Sequence, residues 1–291
     1  MDFSKKNTKT LSKAKSDSIW QKLLRHLLRF IYPLELREKL SYRLQGLFPD
    51  LGEHNISFEF NRSLRFDLSK KDIGHIPIIY NGFYEKEVTK VVLKLAKQGG
   101  VLIDVGANYG YFSCIWAAQN KKNQVHAFEA SSLNIAPLKN NIDKNKLTNQ
   151  VNIVPYALGR EKGILNFCHE REKQQTGWGG FTLNKDRESE MVEVQTLDTY
   201  AQLNNISNID LLKIDTEGAD TWVLQGAIQL IKKQRIKHIF FEHNLPRMSL
   251  LKINPSTAKD FLEENGYIVE NISEMEYYAY PKESLIKLEK H

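Results

Sequence analysis

Hydrophobic and polar positions alternate with two different periods along the chain, and they divide it before any chemistry is considered. In "SDSIWQKLLRHLLRFIYPLELREKL", Trp20, Leu23, Leu24, Leu27, Leu28 and Ile31 recur at three- and four-residue spacing, with Lys22, Arg25 and Arg29 between them. That pattern predicts a basic amphipathic helix opened by an Asp or Ser cap. Residues 56 to 68 change period: Ile56, Phe58, Phe60, then Leu64, Phe66, Leu68, around Asn61-Arg62-Ser63, predict a hairpin with a short turn. Val88, Val91, Val92 and Leu95 predict a helix over 83–97 that ends at Gly99-Gly100. From residue 101, apolar runs at 101–105, 124–129, 151–156, 209–214 and 236–242 alternate with helical patterns at 110–120, 132–145 and 219–234. Strand, helix, strand, repeated, predicts a parallel sheet with helices on both faces. Strand-like stretches at 163–168 and 190–196 flank a glycine-rich loop. A helix at 257–265 precedes a last hairpin made of "YIVENI" and "EMEYYAY". Residues 1–17 have no periodicity and are expected to be a disordered basic tail. The expected organisation is that tail, a helical extension over 18–50, a hairpin and helix over 51–100, and the main domain over 101–291.

Charge then removes one class of function. The net charge is +6, but residues 1–45 hold eleven Lys and Arg against four Asp and Glu. The remaining 246 residues are therefore close to neutral, at −1. Basicity belongs to the N-terminus, so a nucleic-acid face on the main domain is not expected. The N-terminal helix either packs on that domain or lies on an anionic membrane surface, since Trp, Leu and Arg suit both. No run of 18 apolar residues is present, and residues 1–18 lead into no signal-peptide pattern. Cys114 and Cys168 are too few for a disulfide framework and are expected to be buried thiols. The expected location is the cytoplasm, including the inner membrane face if the helix binds lipid.

The candidate chemistry starts at "VLIDVGANYGYFS", residues 101–113. In an open parallel sheet, ligands bind beyond the carboxyl ends of the strands. Gly106 and Gly110 allow a tight turn and a close approach to a ligand, and the next helix points its N-terminal amides there. A dinucleotide loop would favour a third glycine and no acid. Here Asp104 would repel a pyrophosphate and attract a cation. S-adenosylmethionine carries a sulfonium and an ammonium and no phosphate, so the charge favours it. In "VHAFEA", Glu129 ends the next strand, where its two oxygens suit a ribose diol.

"DVGANYGYFS", "VHAFEASSLNIAPLKNNI", "VNIVPYALG", "VQTLDTY" and "IDLLKIDTEGADTWVLQGA", in that order, resemble the FkbM family of S-adenosylmethionine-dependent methyltransferases from about residue 80 to 245. The resemblance implies a class I methyltransferase fold: a Rossmann-like, seven-stranded, mostly parallel sheet whose last strand is antiparallel. It places Asp104, Gly106, Ala107, Asn108 and Gly110 in the cofactor loop, Glu129 and Ala130 at the ribose, and Glu85 near the cofactor side. Ala130 stands where the family more often has proline.

Asp215 and Glu217 end the strand in "LLKIDTEGAD", and Glu242, His243 and Asn244 end the one in "IFFEHN". A hydroxyl acceptor needs a base, and Asp215, Glu217 and His243 are the candidates. Glu242 would orient His243 or touch substrate. Asp215, Glu242 and Asn244 lack a specific metal spacing, so no metal is expected. "QQTGWGGFTL" is expected to be a mobile lid that closes Trp178 and Phe181 over the acceptor. The expected activity is O-methylation of a sugar, glycan or other small molecule. The rivals are an NAD-dependent oxidoreductase and a non-catalytic binding module.

Overall fold

The computed structural model describes residues 23, 26–44, 54–68, 72–170, 175–184 and 188–283. The tail over 1–17 and the start of the amphipathic segment lie outside the described residues. Residues 26–28 are helical, but the chain bends through 29–33 before helix α1 (Leu34–Leu44). The expected single helix is therefore two pieces. Pro33 explains the break, because it has no N–H to donate and disfavours a helical residue before it. The hairpin follows as strands β1 (His54–Ser57) and β2 (Arg65–Leu68), antiparallel with Ile56 opposite Phe66. Its connection is wider than the three residues expected. Phe58 and Leu64 leave the ladder and stay buried, and Asn61 accepts from both the backbone and the hydroxyl of Ser63.

A short 3-10 turn (Ile73–His75) leads into α2 (Ile76–Asn81), and α3 (Lys86–Ala96) precedes the sheet. The main run is β3 (Val101–Val105), α4 (Tyr111–Gln119), β4 (Gln124–Phe128), α5 (Ser132–Lys144) and β5 (Val151–Val154). Four strands come next: β6 (Ala157–Leu158), β7 (Gly163–Glu170), β8 (Gln175–Phe181) and β9 (Glu190–Gln195). Then α6 (Leu197–Leu203), β10 (Leu211–Ile214), α7 (Asp220–Gln225), α8 (Ile228–Lys232) and β11 (Ile239–Glu242) complete the alternation. The chain closes with α9 (Leu245–Leu250), α10 (Thr257–Glu264), β12 (Tyr267–Asn271) and β13 (Glu276–Pro281).

Seven strands form the main sheet in the order β12-β13-β11-β10-β3-β4-β5. β13 is antiparallel to both its neighbours, while the links from β11 through β5 are parallel. Both faces are covered, which is why the strands read as continuous apolar runs. Leu102, Val125, Leu211 and Phe240 pack on one face with α3 and α4. Ile103, Leu212, Ile239 and Phe241 pack on the other with α7, α8 and α10. Among the described residues, no helix is long and apolar enough to cross a membrane.

Two expected elements differ. The glycine-rich segment is not a loop. It forms β8, which joins a second sheet in the order β6-β9-β7-β8 and pairs Phe181 with Phe167 and Gly180 with Cys168. Local propensity argues against a strand there, and pairing with β7 overrides it. The helix expected over 219–234 is divided at Gly226, whose carbonyl accepts from Asp198 N at 3.0 Å. A Cβ at Gly226 would lie 2.0 Å from the carbonyl oxygen of Gly159, which is backbone and cannot rotate away. Gly226→Ala should therefore destabilise the domain by about 1–3 kcal/mol, the usual range for overpacking. Urea unfolding of the two proteins measures it, and an unchanged midpoint would show that the two segments separate freely.

Candidate active site

The carboxyl ends of β3, β4 and β10 open into one cavity, as the strand-end rule requires. Asp104, Gly106, Ala107, Asn108, Glu129, Ala130, Asp215 and Glu217 all line it. Trp178 and Phe181 reach the same cavity from β8. Gly106 has φ +80°, and a Cβ there would lie 1.9 Å from the carbonyl oxygen of Asp215. The two strand ends therefore touch backbone to backbone, and only glycine fits between them. Gly110 does not line the cavity. It starts α4 in a left-handed conformation, and its N–H bonds Ala107 O at 2.7 Å.

Glu129 is buried and holds the loop in shape. One carboxylate oxygen accepts from Asn108 N at 2.7 Å and the other from Ser131 N at 2.8 Å. Burial raises its pKa to about 7 against these bonds. Each oxygen keeps a lone pair for a further donor. Asn134, also on the wall, has an Oδ1 with no hydrogen-bond partner.

A second cluster lies under the β3–β10 junction. Lys213 is buried, although it sits in the apolar strand β10. Its Nζ is 3.0 Å from Asp215 and 3.8 Å from Glu85, and it stands 4.6 Å over the ring of Phe112. Asp104 faces it from the neighbouring strand in register. These acids hold the ammonium well above the ordinary lysine range in spite of its burial. Glu85 is the N-cap residue that precedes α3, in a left-handed conformation at φ 40°. Desolvation, with Asp215 nearby, outweighs the pull of Lys213 and raises its pKa to about 6, and its Oε2 has no hydrogen-bond partner. Asp104 is likewise raised by burial and accepts from Ser113 Oγ at 2.6 Å.

Glu217 occupies a left-handed conformation at φ 54°, unusual for a residue with a side chain. Burial, and then the charge of Asp215, push its pKa up to about 8. Asn244 Nδ2 donates to its Oε2 at 2.6 Å. Asp220 has a different task. It accepts from Thr216 N at 3.0 Å and Glu242 N at 2.7 Å, tying the β10 loop to the end of β11.

Three sequence candidates are placed elsewhere, and Glu85, beside Lys213, is the first: it is not on the cavity wall. His243 lies in a separate cleft with Met275, Tyr277 and Pro246, its ring 4.2 Å from that of Tyr277. It lies just beyond the last residue of β11, and its ring packs against those of Phe241 and Tyr277. It is not on the cavity wall, and burial lowers its pKa. Glu242 is also absent from the wall. It stands opposite Glu276 on β13, and burial among Asp215, Glu217 and Asp220 raises its pKa.

The structure adds residues that the pattern of the chain did not single out. Asp72, His75, Tyr109, Tyr156 and Thr176 line the cavity. Asp72 is buried and accepts from Thr176 N at 3.1 Å and Gly74 N at 2.9 Å, which closes the N-terminal segment onto β8. Its only sequence signal is an Asp two residues before a Gly. Lys213 had a stronger one: a lysine inside a strand that must be buried on both faces.

Residues 104–269 match the family model described as "Methyltransferase FkbM domain", which is more than half of the chain. The hexuronic acid methyltransferase AglP of Haloferax volcanii is 26% identical over 144 residues, 49% of this chain and 56% of that protein. The matched region thus spans little more than half the length of that relative. Among solved structures, the methyltransferase FkbM from Methylobacillus flagellatus KT is 14% identical, with a TM-score of 0.42, covering 72% of this chain and 55% of its own. The precorrin-6y C5,15-methyltransferase from Geobacter metallireducens GS-15 is 15% identical, with a TM-score of 0.40, covering 68% and 89%.

The buried cluster makes a prediction for Lys213→Met. Without the ammonium, Glu85 and Asp104, both already raised by burial, must be unpaired or protonated. Acids held above their unfolded pKa favour folding below that pKa and lose the contribution as pH rises through the folded value. The variant should therefore lose about 3–5 kcal/mol at about pH 8 and clearly less at about pH 5. Denaturant unfolding at both values checks it. An equal loss at both would mean that the lysine contributes packing rather than charge.

Proposed function

The chain belongs to the FkbM methyltransferase family, and on that premise we propose that it methylates a hydroxyl of a sugar, glycan or other small molecule, with S-adenosylmethionine as methyl donor. The observation that carries the reading is the charge of the cavity. Glu129, Asp104, Asp215 and Glu217 are on its wall, and the cation facing two of these acids, Lys213 beside Asp104 and Asp215, is already engaged by Asp215 and Glu85. An anionic pyrophosphate is poorly matched to that wall, and a nucleoside with a sulfonium and an ammonium is well matched.

The residues present fit such a group. Glu129 keeps a lone pair on each oxygen for a ribose diol, and Asn134 Oδ1, also on the wall, is a buried acceptor with no hydrogen-bond partner among the described residues. When bound, the cofactor supplies a methyl group activated by positive sulfur. The protein's share is alignment and removal of a proton. Asp215 accepts from the Lys213 ammonium at 3.0 Å, so one of its oxygens is already occupied. Among the described residues, Glu217 has no ammonium or guanidinium within hydrogen-bond distance, although the charge of Arg247 acts on it from further away. Asn244 holds one oxygen, and Glu217 keeps the other on the cavity side for an acceptor hydroxyl. With a pKa raised to about 8, it takes up a proton readily. Trp178 is half-exposed at the cavity, and Arg247 Nη2 donates to its carbonyl oxygen at 2.6 Å, which holds the backbone of β8 there and presents an indole on which a sugar ring can stack. The relative named for hexuronic acid supports a sugar acceptor.

Two measurements test this. Calorimetry should show binding of S-adenosylhomocysteine and none of NAD, with Glu129→Gln weakening the former; heat from NAD alone would overturn the reading. Labelled methyl transfer into a pool of sugars and glycans should lose about 10²–10⁴-fold in Glu217→Gln with cofactor binding retained. Only ionised Glu217 accepts a proton, so wild-type kcat/KM should rise with pH through a value at or below about 8, because a bound cation lowers it. Turnover that Glu217→Gln leaves intact would remove Glu217 as the base.

A further inference from the structure

Around the bend at residues 29–33, polar and apolar side chains stand the wrong way round for a segment packed in water. Arginine faces the protein. Arg37 is 1% exposed and donates to Ile31 O, Arg29 O at 2.8 Å and Asn81 O at 3.2 Å, and pairs with Glu59 at 2.9 Å. Arg29 donates to Ser57 Oγ at 2.8 Å and Ser57 O at 2.6 Å. Large apolar groups face outward: Leu27 is 55% exposed, Phe30 73%, Tyr32 79% and Leu36 46%, with Leu23 beside them. A buried arginine is rare unless fully paired, and here its bonds fix the bend that presents these side chains. An apolar patch held out by a rigid scaffold marks an interaction surface.

We propose that the surface carried by Leu23, Leu27, Phe30, Tyr32 and Leu36 docks on an anionic phospholipid bilayer. Charge selects this occupant. The first 45 residues carry +7, which would repel a second copy brought face to face and attract anionic headgroups. Leu and Phe enter the acyl boundary, and Tyr sits at its polar edge. The surface is also close to the cavity. α1 packs on α2 through the Arg37–Asn81 bond, and Ile78 of α2 lines the cavity. Docking therefore brings the cavity rim towards the bilayer, where an acceptor attached to lipid would be within reach. That last clause rests on the proposed activity, and the docking does not.

The test uses the full chain and vesicles of phosphatidylcholine with or without phosphatidylglycerol. The protein should cosediment with the mixed vesicles, less so as salt rises, and little with phosphatidylcholine alone. Replacing Leu27, Phe30 and Tyr32 together by serine should lower vesicle affinity by about tenfold or more, because each removes buried apolar area. Its thermal melt should match wild type, because none of the three is in the core. Three results would overturn the proposal: no association with either vesicle, undiminished association of the triple variant, or a wild-type dimer that the triple variant dissociates. None of these readouts involves methyl transfer, so failure here and failure of the proposed activity are separate outcomes.

Discussion

The ammonium of Lys213, buried in the centre of a parallel sheet, is the charge about which the rest of the site is arranged. Asp215 is bonded to it at 3.0 Å, Glu85 approaches at 3.8 Å, and Asp104 faces it across the strand pair. Isolated carboxylates at such depth would take up protons, and an isolated lysine would lose one. Together they remain a compact polar core between two apolar layers. The acids that reach the cavity are thus held at a fixed position and close to ionisation. That suits a site for a cation, since the carboxylates are fixed before the ligand arrives and a bound cation draws them towards the ionised form.

Three elements from distant parts of the chain complete the enclosure. The 3-10 turn at Ile73–His75 brings Asp72 against Thr176 of β8, so one side of the cavity is closed by residues about a hundred positions apart. Arg247 fixes Trp178 through its carbonyl. Asp220 ties the β10 loop, which carries Glu217, to the last residue of β11. The bonds of Asp72 and Asp220 satisfy buried carboxylates and at the same time position groups on the cavity wall. The hydrogen bonds that stabilise the ends of the sheet therefore also give the site its shape.

Much of this is legible in the amino-acid sequence. The strand and helix alternation after residue 101, the acids at the strand ends and the final antiparallel hairpin all appear as patterns, because burial on both faces forces apolar runs and their ends must turn. Asp104, Glu129, Asp215 and Glu217 converge as their positions in that pattern imply. His243 and Glu242 are at the end of the right strand but not on the cavity wall. A strand end fixes where a residue is along the sheet but not what its side chain meets: Glu242 stands opposite Glu276 of β13, and His243, past the end of the strand, packs on Tyr277.

By itself the sequence determined the fold class, the location of the site at one edge of the sheet and the acidic character of its loop, since these follow from local periodicity and from which residues end each strand. Only the tertiary structure decided that Lys213 neutralises the acids, that "TGWGGF" is a strand and that Asp72 closes the cavity. It also decided that the residues around the bend at 29–33 turn their aromatic groups away from the protein. These depend on pairing between segments far apart in the chain. Such pairing can reverse a local preference because a buried polar group must find its partner wherever the fold provides one.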